Sequence, residues 1–182
     1  MGTKYTTSEI CISFFGDTAP LYPIFNQVAA QIEASEGDMS TTAKLVPVIC
    51  HALIDSSISM HGVSNSGQVW NSEADAGSAM AQMYEDESSL YAGIEQSNQI
   101  EAKTDWMVVT LSFCFERQGH FDAIETSITT VEDVVDALKQ LSALSAQEDC
   151  LRAFNLHWSP ATEEENITDD QMIQYYPNLR TL

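Results

Sequence analysis

The chain has 182 residues, 44% of them apolar, and carries 27 acids against 7 Lys or Arg for a formal net charge of −20. That balance excludes nucleic-acid binding, which rests on cations that neutralise phosphates, and electrostatic attraction to an anionic membrane surface. No apolar run reaches the ~18 residues that mark a bilayer span, and Met1–Tyr5 lack the basic and apolar regions of a signal peptide.

The length suits one soluble domain, residues 1–182, and the apolar fraction is that of a globular chain. Residues 4–15 alternate, with Ile10, Ile12 and Phe14 on one face and Glu9, Cys11 and Ser13 on the other, the pattern of a half-buried strand. Asp17 or Thr18 is placed to cap a helix with Pro20 in its first turn, and Leu21, Ile24, Phe25, Val28 and Ile32 recur at helical spacing. A second helix is expected over about 41–55, using Val46, Ile49 and Leu53, with a bend at Pro47.

Residues 57–70 read as a hairpin turning at Ser64-Asn65-Ser66-Gly67. Ser72 opens a long helix with a stripe of Met80, Met83, Tyr84, Tyr91 and Ile94, which reads as adaptable core packing. A loop over 96–104 leads into "WMVVTLSFCF". There Met107, Val109, Leu111, Phe113 and Phe115 point one way, and Thr110, Ser112 and Cys114 the other. A further loop through Gly119 leads to a helix whose Thr130 and Asp133 form a capping box, and whose Val131, Val134, Val135, Leu138 and Leu141 form a buried stripe. Over 151–158 Phe154, Leu156 and Trp158 alternate with Asn155 and His157, another strand. Strands with one apolar face need helices over that face. The expected fold is therefore α+β, a mainly antiparallel sheet of three to five strands with helices packed on one face.

The chemistry is sparse. Cys11, Cys50, Cys114 and Cys150 lie far apart in apolar surroundings, without zinc spacing or a disulfide framework. His51 follows Cys50 on a helix, where adjacent residues diverge, while His61 and His120 sit beside glycines in expected loops. Cys11, Cys114, Asn155 and His157 share the outer sheet face, so neighbouring strands would bring a Cys-His set together there. There is no Gly-rich phosphate loop, nucleophile elbow or His-Glu-x-x-His pair. No catalytic residue, cofactor or metal ligand is assigned, and a non-enzymatic role is expected.

The last segment is the most distinctive. After the strand ending at Ser159-Pro160 come Glu163, Glu164 and Glu165, then Thr168 with Gln171 as a second capping box, with Asp169 and Asp170 in the first helical turn. "LHWSP", the acids, "ITDDQMIQ" and "YYPNL" resemble the C-terminus of a cyanobacterial and chloroplast family, domain-of-unknown-function family 1517. Its members end in a pattern like Leu-Trp-Thr-Pro, acids, Asp/Glu-Leu-Leu and Tyr-Pro-x-Leu. The matching positions here are His157 to Pro160, Thr168 to Ile173 and Tyr176 to Leu179.

The resemblance implies an interaction or regulatory domain linked to thylakoid or chloroplast membranes and to acclimation of photosynthesis to light. Association with such a membrane would run through partners, or through the upstream membrane-spanning segment that many members carry. Two alternatives remain: a divergent soluble relative with an unrelated binding role, and a small-molecule or metal-binding enzyme using the outer sheet face. The expected partner is a protein with a basic surface. The candidate contact is the acidic loop of Glu163, Glu164, Glu165, Asp169 and Asp170.

Overall fold

The computed structural model describes residues 2–96, 105–116, 128–147 and 150–182. The expected loops over 96–104 and through Gly119, together with His120, lie largely or wholly outside them. In chain order the elements are β1 (Tyr5–Phe15), α1 (Leu21–Ala34), α2 (Met39–Asp55), a 3-10 turn (Ser57–Ser59), β2 (Met60–Trp70), α3 (Glu73–Gln96), β3 (Trp106–Phe115), α4 (Val131–Ser145), β4 (Leu151–Ser159), α5 (Asp169–Tyr175) and β5 (Arg180–Thr181). The five strands form one antiparallel sheet in the order β4-β3-β1-β2-β5. The fold is α+β, as the alternation of strand and helix patterns requires.

Register puts the apolar alternation to use. Ile10 faces Leu111, Ile12 faces Val109, Leu111 faces Leu156 and Phe113 faces Phe154, so one side of the sheet is continuous hydrocarbon. Onto it pack Phe25 and Val28 of α1, Val46, Ile49 and Leu53 of α2, and Val134, Leu138 and Leu141 of α4, all buried. Phe154, Leu156 and Trp158 join this core only partly buried, because β4 is an edge strand. The capping box at Thr130 and Asp133 forms as read.

The second face departs from the one-sided layer. Helices α3 and α5 lie over it. Ala76 and Met80 pack with Cys114, and Ile94 and Met172 pack with Cys11, Val108 and Ile167. Ser13, Thr110 and Ser112 are consequently as buried as Leu111. Small polar residues on alternate positions read as solvent-facing, but Ser and Thr are compact enough to lie beneath a helix when their hydroxyls find acceptors. Of the expected α3 stripe, Met80 and Ile94 are buried, whereas Tyr84 is exposed.

Three local readings are corrected. Residues 60–70 form one continuous strand, with Ser64, Asn65, Ser66 and Gly67 opposite Cys11, Ile10, Glu9 and Ser8. Pairing along the length of β1 outweighs their turn chemistry. His61 accordingly lies in β2 and not in a loop. Helix α1 has no side-chain cap: Leu21 N–H donates to the Thr18 carbonyl. Helix α2 begins earlier than expected because the Asp38 carboxylate accepts from Thr41 N–H at 2.8 Å. Among the described residues no helix is long and apolar enough to cross a membrane.

Candidate functional site

The C-terminal segment closes the fold at one end of the sheet. After β4, Glu165 Oε2 accepts from Ala161 N–H (3.0 Å) and Thr162 N–H (3.2 Å), folding the acid run back on itself. Of the three expected solvated glutamates, Glu163 and Glu164 are exposed, whereas Glu165 builds the loop. Thr168 and Gln171 then form their reciprocal capping box, starting α5. Tyr175 Oη donates to the Gly93 carbonyl of α3 at 3.1 Å. The chain finishes as β5 on the edge of β2, where Leu182 N–H donates to the His61 carbonyl at 2.9 Å.

This closure creates two hollows that share Trp106. The first, about 370 Å³, is lined by Asp17, Tyr22, Asp105, Trp106, Glu163 and Glu165, among others. Gly16 makes its turn possible. It adopts φ 125°, a conformation open chiefly to glycine, and donates its N–H to the Asp105 carbonyl at 3.0 Å, tying the lead into α1 to the start of β3. Burial, then the charges of Glu163 and Glu165, push the Tyr22 hydroxyl up to about 12.

The second hollow is an open groove of about 480 Å³, floored by Ser13, Gly62 and Trp106 and walled by Met172, Ile173, Tyr176, Pro177 and Leu179. Beside it the Trp106 ring lies tilted against Phe15 at 4.7 Å and meets His61 edge-on at 4.8 Å. Asp169 accepts from Trp106 Nε1 at 2.6 Å, holding the indole between the acidic cleft and the apolar groove. Phe15 is 49% and Ile173 72% exposed, so large apolar surface is offered to solvent here. No described Lys or Arg lines either hollow.

Of the expected acidic residues, Glu163 and Glu165 line the cleft and Asp169 lines the groove, while Glu164 and Asp170 line neither. The sequence reading missed Asp17, Asp105, Trp106, Phe15 and His61, which come from three separate strand ends. Only the acid run carried a local signal.

The second face holds the other expected set. Thr110 pairs with both Cys11 and His157, placing these three in one cross-strand row. Cys114 lies opposite Ala153, and Asn155 opposite Ser112. Burial pushes the Cys11 thiol up to about 12 and the Cys114 thiol up to about 11, which keeps both protonated and unreactive. Burial also pushes His157 down, toward the neutral imidazole. On α3 itself, Glu87 is raised to about 7, by burial first and then by the neighbouring Glu9 charge, against a hydrogen bond from Thr110. Glu9 is raised as well, again mainly by burial, although Ser112 Oγ donates to it at 3.2 Å. Among the described residues no three His, Cys, Asp or Glu side chains are grouped to hold a metal ion.

Residues 6–182 match the model of a family described as a protein of unknown function, DUF1517. No curated protein and no solved structure matches the chain.

Proposed function

The chain belongs to that family of proteins of unknown function, and from this premise we propose that it is a non-enzymatic interaction and regulatory domain whose partner docks at the acidic, aromatic-lined end of the sheet. The observation that carries this reading is the meeting of two hollows at Trp106, one acidic and one apolar, with no described cation lining either. Interfaces draw their energy from desolvated aromatic and aliphatic anchors, and their choice of partner from complementary charge. Phe15, Trp106 and Ile173 supply the anchors, and Asp17, Asp105 and Glu163 the charge. The fitting partner is a protein segment that presents apolar side chains flanked by Lys or Arg.

The non-enzymatic reading draws support from the second face, where the cysteines that share it with His157 are held protonated by burial. The setting rests on the family resemblance alone: a place beside photosynthetic membranes, reached through partners, and a role in acclimation to changing light. Capture from a thylakoid extract on immobilised protein tests both parts. A basic partner retained by the wild type, released by salt and lost with Trp106→Ala combined with Glu163→Gln is the expected result. Equal retention by the variant, or capture of acidic proteins only, would contradict it.

A further inference from the structure

A second pair of hollows lies between α3 and the edge strand β4. A surface notch of about 230 Å³ is walled by Tyr91, Leu156, His157, Trp158 and Ala161. Next to it is a small, partly open chamber of about 10 Å³, lined in part by Glu87, Thr110, His157, Ser159 and Tyr176. The two share Tyr91, His157 and Trp158, so the apolar notch adjoins the polar chamber. The chamber has room for about one water-sized group.

Its lining is unusual in what it leaves unmet. Ser159 is 4% exposed, yet its Oγ has no hydrogen-bond partner among the described residues, and the same holds for the buried His157 Nδ1. Three buried side-chain atoms are orphaned in this way, and two of them belong to residues of this chamber. Buried polar groups are normally satisfied, so two orphans around one chamber call for an occupant. Glu87 supplies a carboxyl beside them, with Glu9 nearby, and no Lys or Arg among the described residues acts on either carboxyl.

We propose that notch and chamber together bind a small primary amine with an apolar body, its ammonium seated among Glu87, His157 Nδ1 and Ser159 Oγ. An ammonium is a water-sized group with three donors and no acceptor. The chamber offers one carboxylate and two unpartnered atoms able to accept, a neutral imidazole nitrogen and a hydroxyl oxygen. A carboxylic acid or phosphate would meet Glu87 and Glu9 with like charge, and an alcohol would leave acceptors unmet. Tyr91, Leu156 and Trp158 suit an aromatic or short aliphatic body, and the modest volume bounds its size below that of typical drug-sized ligands. This site meets the groove around Trp106 only at Tyr176, which lines both, and the proposal stands whether or not a protein docks there.

The test is a calorimetric and NMR titration of the whole protein with phenethylamine and, in parallel, phenethyl alcohol, at about pH 8 so that Glu87 is ionised. Saturable amine binding at least about tenfold tighter than the alcohol, with shifts centred on His157 and Trp158, is expected. Glu87→Gln, close in shape to the native residue, should remove that preference, and Glu132→Gln on the exposed face of α4 should leave it intact. Four results would overturn the proposal: equal affinity for amine and alcohol, amine preference surviving Glu87→Gln, equal loss in both variants, or no saturable binding in the millimolar range.

Discussion

Trp158 is where the C-terminal segment meets the core. It lies on an edge strand, half-buried, with its ring 5.5 Å from Phe25 and its Nε1–H directed to the Ala161 carbonyl at 3.3 Å. A fully buried Trp truncated to Ala costs ~3–5 kcal/mol; the solvent-facing part of this ring loses less, so Trp158→Ala should cost ~2–3 kcal/mol in a denaturant melt. Thr168→Ala removes half of the capping box at α5 and should cost ~1 kcal/mol in the same measurement. Glu87 behaves in the opposite sense to a salt-bridged carboxylate. Burial raises it from 4.5 to about 7, so the folded chain keeps a proton that the unfolded chain has released across that window. Stability contributed by the neutral form is therefore lost as pH rises from 4.5 to about 7. Glu87→Gln should flatten that decline and gain ~1–2 kcal/mol at about pH 8, a figure already reduced for the solvent reaching this half-buried group. Urea melts of both proteins on either side of the window check it.

At the scale of elements, what the sequence made legible was local. Strands β1, β3 and β4 announce themselves by alternation, and α4 and α5 by capping boxes whose partners lie three residues apart. What it hid was nonlocal. Strand β2 carries turn residues whose conformation is decided by β1, and the second face is hidden because Ser13, Thr110 and Ser112 look solvated until α3 and the C-terminal segment cover them. The groove is harder still, since Phe15, His61, Trp106 and Ile173 are brought together by register and by the tail, with no pattern linking them along the chain. The tail's closeness to the sheet is visible at Gly62. A Cβ there would lie 2.8 Å from Ser13 Oγ and 3.3 Å from the Arg180 carbonyl. Gly62→Ala should therefore cost ~1–3 kcal/mol and speed amide exchange at Leu182. The two covers of the sheet should also differ. Cys11 and Cys114 lie under α3 over a polar surface, whereas Cys50 is within α2 in the continuous apolar core. Native-state thiol labelling should reach Cys11 and Cys114 well before Cys50; the reverse order would mean that α3 is the firmer cover.

The whole molecule carries a net charge of −20, and charge of that size acts over its entire surface. Salt should stabilise the fold by screening self-repulsion, yet weaken a basic partner's hold. Bulk charge alone, however, would bind any cationic chain anywhere. The proposed docking site is instead confined to one end of the sheet, where acids meet the Phe15–Trp106–His61 cluster and the exposed Ile173. The most direct test is a fluorescence titration with a cationic amphipathic Lys/Leu peptide across a salt series. The wild type is compared with Trp106→Phe combined with Ile173→Ser, with Glu163→Gln combined with Asp17→Asn, and with Glu132→Gln combined with Asp136→Asn as an equal charge removal on α4. The first pair should weaken binding about tenfold or more with little change in salt slope. The second pair should flatten the slope, and the α4 pair should behave as wild type. Equal effects from the two charge-removing pairs, together with no effect from the apolar pair, would show that the peptide reads only net charge and would contradict the docking site.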